Sequence, residues 1–124
     1  MLKLAFVALG GALGAVCRYL AGNVVSKTLG SALPWGTFAI NIVGCFCMGL
    51  LMTVIVEREL LGAGWRLFLC VGLLGGFTTF SSFGYETLML LAEGNVAAAA
   101  GYACGSVLLG LMAAGAGVLL ARVM

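Results

Sequence analysis

The chain has 124 residues, of which 64% are hydrophobic and 8% are charged, and its net charge is +2. Soluble domains carry roughly 25% charged residues, so this composition, with a mean hydropathy of +1.24, excludes a soluble globular fold and predicts an integral membrane protein. The small net charge gives no indication of nucleic-acid binding, and the absence of histidine removes the commonest general base and metal ligand.

Four apolar segments follow one another along the chain, and each is long enough for a bilayer, which about 20 helical residues can cross. They are Leu4–Val25, Thr37–Val56, Leu67–Ala92 and Val96–Ala121. Trp35 and Trp65 fall at segment edges, where interfacial aromatic residues belong. Glu93–Asn95 predicts a tight helical hairpin. We therefore predict an all-α membrane protein, with one four-helix transmembrane domain over residues 1–124.

The charges give only weak information on orientation. Four spans place both termini on the same side as the second loop. The cations on that side are Lys3, Arg58, Arg66 and Arg122, and those on the other are Lys27 and, if it snorkels outward, Arg18. The positive-inside rule then favours cytoplasmic termini by about two charges, which leaves insertion in both orientations open. Four short helices are too few to enclose a sizeable pathway, so a dimer is expected.

Two features of the apolar runs have ordinary interpretations. The run after Lys3 has the pattern of a signal peptide, but apolar character continues beyond Arg18, so we interpret it as the first membrane helix. The cysteines lie inside apolar runs and are interpreted as small buried side chains rather than as metal ligands or disulfides. They are Cys17, Cys45, Cys47, Cys70 and Cys104.

Polar residues in the first two segments have a structural and a functional interpretation. Arg18 either snorkels to the interface beside Tyr19 or draws anions toward a vestibule as a fixed positive charge. Thr37 and Asn41 are four residues apart and share a helical face. Asn41 either makes an interhelical hydrogen bond, worth about 1 kcal/mol or less, or directs an N–H donor at a dehydrated anion.

The third segment contains the densest run of polar groups, from Gly72 to Glu86. Gly75-Gly76 followed by Thr78-Thr79 predicts a helix break, because glycine disfavours helix and hydroxyls bond the freed backbone groups. Transporters and channels place ions at broken helices. A carboxylate in a membrane span is a candidate functional residue, so this segment is expected to contain the site.

The residues after the predicted break include groups that can bind an anion. Phe80 and Phe83 share a helical face, and they either pack in a core or present the positive edges of their rings to an anion. Ser82 and Glu86, four residues apart, extend a polar track on a neighbouring stripe. In the fourth segment Tyr102 and Ser106 are also four apart, while its glycines indicate close helix packing.

Three blocks carry a resemblance to a known family. They are Gly-Gly-x-x-Gly-Ala-x-x-Arg-Tyr over residues 10–19, Gly-Thr-x-x-x-Asn-x-x-Gly over 36–44 and Gly-Gly-Phe-Thr-Thr-Phe-Ser-Ser-Phe over 75–83. In this order, in a four-span chain of this length, they resemble the Fluc-type fluoride channels, the camphor-resistance CrcB family, along the whole sequence.

The resemblance implies an antiparallel, dual-topology homodimer in the bacterial inner membrane, with two fluoride pores and a structural sodium ion at the dimer centre. It implies that Phe80 and Phe83 hold fluoride edge-on beside Asn41, and that backbone carbonyls of Gly75 and Thr78 hold the sodium ion. The implied polar track consists of Thr37, Ser81, Ser82, Glu86, Tyr102 and Ser106, with a vestibule at Arg18. Where the family often adds hydroxyls beyond Ser106, this chain has Gly110 and Ala114.

The expected function is passive, fluoride-selective export without an enzymatic step. Fluoride is strongly hydrated, so a selective path must offer strong donors such as amides and hydroxyls, and the membrane potential drives anions outward. The main alternative is a small multidrug-type exchanger coupled to protons, also of four spans and dual topology. It would normally place a carboxylate in the first segment, where this chain has Arg18 and no acid. A purely structural subunit would leave Asn41, Thr78 and Glu86 without a role.

Overall fold

Four helical spans, each long and apolar enough to cross a membrane, make up the computed structural model, which describes residues 1–124 and contains no strand. Helix α1 is Leu2–Leu29, and α2 is Trp35–Met52 with a π-helical continuation over Thr53–Glu57. The third span is Ala63–Ala92, and the fourth, α5, is Val96–Val123. The predicted all-α architecture of four membrane helices is confirmed. Most helix ends lie one to four residues beyond the ends of the predicted apolar segments.

The third span consists of two helices joined at a slight bend. Helix α3 starts as Ala63–Trp65, continues as a π-helix over Arg66–Leu74 and ends as Gly75–Phe77, and α4 is Phe80–Ala92. Between them Thr78 and Thr79 have extended backbone, with ψ angles of 160° and 117°. The interruption is therefore shorter than predicted, because Gly75 and Gly76 remain helical and only the two threonines leave the helix.

Short turns connect the spans. Gly30 ends α1 with φ of 84°, and Gly94 turns the chain between α4 and α5 with φ of 78°, a conformation that glycine adopts without steric cost. Asn95 caps α5 by accepting a hydrogen bond from the Ala98 N–H at 3.2 Å. The predicted hairpin between the third and fourth spans is thus present, and Trp35 and Trp65 lie in the first turns of their helices, as expected.

Helices α1 and α3 meet along a glycine seam, which we define as Gly10, Gly11 and Gly14 of α1 with Gly72 and Gly76 of α3. A Cβ atom on Gly14 would overlap the Leu73 carbonyl, and one on Gly76 would lie 2.5 Å from the Gly11 carbonyl oxygen. The two backbones therefore touch directly, which only residues without a side chain permit. The close packing predicted from the small residues of the first segment is confirmed.

Helices α2 and α5 touch at one end of their contact and separate toward the other. A Cβ atom on Gly49 would overlap the Ala114 carbonyl, and one on Gly117 would overlap that of Phe46. Toward the other end of the pair, bulkier residues separate the helices, and Tyr102 of α5 joins Leu90 and Ala99 in a small buried cluster. This separation leaves room for a cleft beside the interruption of the third span.

The five cysteines are all free, but their burial differs from the prediction. Cys70 is buried, whereas Cys17 and Cys104 are exposed on the single chain. Only 18 of 124 residues are buried within the chain. The apolar runs around the exposed cysteines therefore face outward, where a membrane protein meets lipid or another subunit, rather than a core of its own.

Candidate functional site

A cleft of about 310 Å³ lies where α2, α5 and the interruption of the third span meet. It is lined by Asn41, Gly44, Cys45, Met48, Thr78, Thr79, Phe80, Phe83, Ser106 and Val107. The glycine at position 44 is required locally, because a Cβ atom there would overlap the Thr78 methyl group. The cleft thus unites four of the predicted fluoride-site residues, Asn41, Phe80, Phe83 and Ser106, around the two non-helical threonines.

Asn41 holds the interruption in place through two hydrogen bonds to one residue. Its Nδ2 donates to the Thr79 carbonyl at 3.0 Å, and its Oδ1 accepts from the Thr79 N–H at 2.8 Å. The side-chain amide therefore satisfies the Thr79 N–H that the break in the helix sets free, and it also binds the carbonyl of the same residue. The interhelical hydrogen bond, one of the two interpretations, is present in the structure. The second Nδ2 hydrogen has no partner in the chain and is available as a donor to a ligand.

Thr79 organises the start of α4 and was missing from the predicted site. It is buried, and its hydroxyl accepts from the Ser82 N–H at 3.2 Å and donates to the Ser82 Oγ at 3.0 Å. This is an N-cap, the usual role of threonine before the first helical residue. The T-x-x-S pattern just after a predicted break was the sequence signal that would have identified it. Ser81 is exposed and only 3.4 Å from the same hydroxyl.

Glu86 lies one helical turn beyond Ser82, and two hydroxyls bind its carboxylate. Thr37 Oγ1 donates to Oε1 at 2.7 Å, and the Tyr102 hydroxyl donates to Oε2 at 2.8 Å. Glu86 also lines a second cavity of about 200 Å³, near the turn before α2. The hydrogen-bonded polar side chains therefore form two groups, Asn41 with Thr79 and Ser82 and then Glu86 with Thr37 and Tyr102. No hydrogen bond joins Ser82 to Glu86.

The two phenylalanines of the predicted ring pair have different surroundings. Their ring centroids are 5.6 Å apart with an angle of 45° between the planes. Phe83 packs on Tyr102 at 5.4 Å and against the small buried cluster, and it also lines the cleft. Phe80 is 82% exposed. A fully exposed ring next to the polar backbone of Thr78 and Thr79 marks a surface that the single chain does not cover.

The interruption leaves four carbonyl oxygens, those of Gly75, Gly76, Phe77 and Thr78, without their helical partners. The Thr79 N–H would complete the helical bond to the Gly75 carbonyl, but it donates to Asn41 instead. The Ser82 N–H would serve the Thr78 carbonyl, but it donates to the Thr79 hydroxyl. Gly75 and Thr78, which the resemblance assigns to sodium, are therefore two of the four residues whose carbonyls are freed. Freed carbonyls at the end of a half-helix are the groups that bind sodium ions in transporters.

The two remaining predicted residues are Ser106 and Arg18. The Ser106 hydroxyl is buried in the wall of the cleft and has no hydrogen-bond partner. Buried hydroxyls are almost always paired, so an unpaired one inside a cleft indicates a position for a water molecule or a polar ligand. Arg18 is half-buried on α1 and forms no ion pair, since the only salt bridge joins Arg122 to Glu57 at 3.0 Å.

Fold and site together define a small helical membrane protein with a largely apolar cleft that contains a few polar groups at a helix interruption, an arrangement typical of ion-transporting proteins. No three His, Cys, Asp or Glu side chains are grouped so as to hold a metal ion. The chain belongs to the CrcB family, since the family model described as "CrcB-like protein, Camphor Resistance (CrcB)" matches residues 5–118.

Curated relatives cover nearly the whole chain. A protein of Chloroflexus aurantiacus named "Fluoride-specific ion channel FluC" is 52% identical over 116 residues, which are 94% of this chain and 92% of the relative. Proteins with the same name from Thermus thermophilus and Solibacter usitatus are 53% and 45% identical, and the matches cover 87% and 98% of this chain and 86% and 99% of the relatives. The resemblance to this family, first indicated by three short blocks, is confirmed along the length of the chain.

Proposed function

We propose that this protein is a fluoride-selective channel that lets cytoplasmic fluoride leave the cell across the inner membrane by passive diffusion. The observation that carries the proposal is the buried, unpartnered Ser106 hydroxyl in the same cleft as the free N–H of Asn41. Both groups are donors, and fluoride, a small and strongly hydrated anion, requires strong donors when it loses water. Relatives at 45–53% identity that carry the name of a fluoride-specific channel support the same function.

In the proposed pathway, the ring edges of Phe80 and Phe83 flank the anion beside Asn41 and Ser106. Phenylalanine rings have a positive edge, so they favour an anion and disfavour a cation at the same place. Thr37, Ser82, Tyr102 and Glu86 continue the polar path toward the second cavity, with Ser81 at its exposed margin. Arg18 supplies positive charge at a vestibule, which raises the local concentration of anions.

The working unit is proposed to be an antiparallel dimer of two copies inserted in opposite orientations. Thr78 and Thr79 lie near the middle of the third span, and Phe80, Gly75 and Ser81 beside them are exposed on the single chain. Polar backbone at this depth does not face lipid, because hydrocarbon leaves its groups unsatisfied. A second copy with the same break covers this surface and completes the pathway, and two such pathways follow from the symmetry.

We propose that the carbonyls of Gly75 and Thr78, together with those of the second copy, hold a structural sodium ion at the dimer centre. The positive charge of the ion would attract the partial negative charges of the freed carbonyl oxygens, which have no N–H partner. Replacing sodium by N-methylglucamine, which is too large for such a site, should lower the unfolding temperature of the dimer. An unfolding temperature that is the same in both salts would contradict the sodium site without touching the channel proposal.

The function itself is tested by anion efflux from liposomes that contain the purified protein. We expect fluoride efflux without measurable chloride efflux. Equal rates for the two anions, or proton-coupled uptake of a cation, would overturn the proposal. Orientation is tested separately in protein with Lys3→Cys as its single cysteine. An impermeant maleimide added to sealed vesicles should label half of the thiols, and labelling of all or none would exclude dual topology.

A further inference from the structure

In one part of the cleft a thiol faces a glycine. Asn41 and Cys45 are one turn apart on α2, and Ser106 and Gly110 are one turn apart on α5. Asn41, Cys45 and Ser106 all line the cleft, and a Cβ atom on Gly110 would lie 3.4 Å from the Cys45 sulfur. The thiol therefore occupies the layer that follows Asn41 and Ser106, in the space that a side chain at position 110 would otherwise fill.

Beyond this layer the two helices leave no room for a polar path between them. Gly49 touches the backbone of Ala114, and Gly117 touches that of Phe46. A hydroxyl one turn past Gly110 would therefore meet backbone rather than open space. Met48, one turn from Cys45 on the side of this closed contact, also lines the cleft. A solute that moves from Asn41 and Ser106 toward Gly110 would therefore meet the Cys45 thiol before the closed part of the contact between α2 and α5.

We propose that Cys45 lines the fluoride pathway and, facing Gly110, forms its narrow end in this chain. The proposal rests on the proposed channel function and adds a residue to it. The thiol is a weak hydrogen-bond donor of small size, so it takes the place of a hydroxyl without closing the path. The buried Ser106 hydroxyl in the preceding layer has no partner in the chain, which independently indicates that a small polar ligand reaches this depth.

Substitution by leucine tests the proposal, with Cys47 as the matched control. Cys47 is two residues further along α2, so its side chain points away from Cys45, and it does not line the cleft. In liposomes, Cys45→Leu should lower the rate of fluoride efflux at least tenfold, while Cys47→Leu should keep the parent rate. Both variants are first checked for a single symmetrical peak by size exclusion. Normal efflux through folded Cys45→Leu protein would overturn the proposal.

Chemical modification tests the role of Cys45 after the protein has folded, so the result does not depend on whether a variant folds. The protein retains Cys45 alone or Cys47 alone, with the other four cysteines replaced by alanine. Methyl methanethiosulfonate transfers its methylthio group to the thiolate, forming a disulfide and releasing methanesulfinate, and dithiothreitol reverses the reaction. We expect at least a tenfold, reversible loss of fluoride efflux for the Cys45 protein and none for the Cys47 protein.

Two outcomes of the modification experiment would contradict the proposal. One is unchanged efflux after mass spectrometry has shown that Cys45 is modified. The other is a conducting protein in which Cys45 does not react, because the exchange requires a thiolate and hence contact with water. The unmodified single-cysteine proteins are tested for fluoride and chloride efflux first. Absence of fluoride-selective efflux in these unmodified proteins would count against the channel function. Selective efflux that modification of Cys45 does not change would count only against the role of Cys45.

Discussion

The glycine seam involves the first half of the third span, and the cleft involves the residues from Thr78 onward. The two regions hold their helices together in different ways. In the seam, backbones of α1 and α3 touch because side chains are absent, and no side-chain hydrogen bond joins them. In the cleft, α2 and α4 are held by a network of side-chain hydrogen bonds, centred on Asn41 and Thr79. Substitutions that add atoms should therefore disturb the seam, whereas substitutions that remove polar atoms should disturb the cleft.

This difference separates the part of the third span that packs against α1 from the part that contains the proposed fluoride site. Helix α3 is fixed against α1 up to Gly76, immediately before the chain leaves the helix. Helix α4 then starts in a new environment, with its first residues in the cleft. A rigid first half is needed because the position of the freed carbonyls and of Phe80 depends on where α3 ends.

The largest effect is expected from Asn41→Ala in the cleft. The substitution removes the proposed donor to the anion, leaves the buried N–H of Thr79 unpaired and removes one of the bonds to its carbonyl. Loss of a hydrogen bond to an ion costs roughly 1.5–3 kcal/mol, or about ten- to hundredfold in rate. Fluoride efflux should fall by that factor or more, while size exclusion still shows a dimer.

The matched control for this prediction is Asn23→Ala. Asn23 is exposed on α1 and makes no hydrogen bond within the chain. Its removal should leave the efflux rate unchanged. If efflux through Asn41→Ala protein equals that of Asn23→Ala protein, Asn41 has only a packing role.

Gly14→Ala tests the seam by adding one methyl group. The new Cβ atom would overlap the Leu73 carbonyl, so α1 and α3 must move apart. Overpacking of this kind costs about 1–3 kcal/mol, and we expect a lower unfolding temperature in detergent. Gly115→Ala is the control, because no atom lies within 4 Å of the place that its new methyl group would take. Equal unfolding temperatures for the two variants would show that the seam is not closely packed.

The helices of the seam could be predicted from sequence more fully than the cleft. Long apolar runs predicted the four spans, and the small residues from Gly10 to Gly14 predicted close packing. These features depend on local composition and spacing, which a single sequence displays. The position of the break was less certain, because glycine permits a break without requiring one. Gly75 and Gly76 both stay helical, and α1 packs directly against Gly76.

The connections inside the cleft depended on contacts between distant residues. Nothing in the sequence showed that Asn41 pairs with both backbone groups of Thr79, 38 residues away, or that Thr37 and Tyr102 share the carboxylate of Glu86. Residue types at helical spacing predicted which side chains share a face, but not which faces meet. Cys45 and Thr79 were therefore missing from the predicted site, although both line the cleft.

A smaller effect is expected from Thr79→Ala, which removes the cap of α4. Loss of an N-cap costs about 1 kcal/mol, and it also leaves the Ser82 N–H without its acceptor. The unfolding temperature should fall, and Thr79→Ser should restore it, because serine caps equally well. Thr28→Ala serves as control, since the Thr28 hydroxyl is exposed and bonds only within its own helix. No difference between Thr79→Ala and Thr79→Ser would exclude the capping role.

The smallest effect is expected from Tyr102→Phe at the far end of the polar path. The ring still packs on Phe83, but the hydroxyl that donates to Glu86 at 2.8 Å is lost. Thr37 continues to bind the other carboxylate oxygen, so one hydrogen bond worth about 1 kcal/mol is removed, which is roughly fivefold in rate. Fluoride efflux should fall by about that factor, whereas Tyr85→Phe, which alters an exposed hydroxyl without a partner, should have no effect. A Tyr102→Phe rate equal to that of Tyr85→Phe would restrict the conducting path to the cleft around Asn41 and separate it from the Glu86 group.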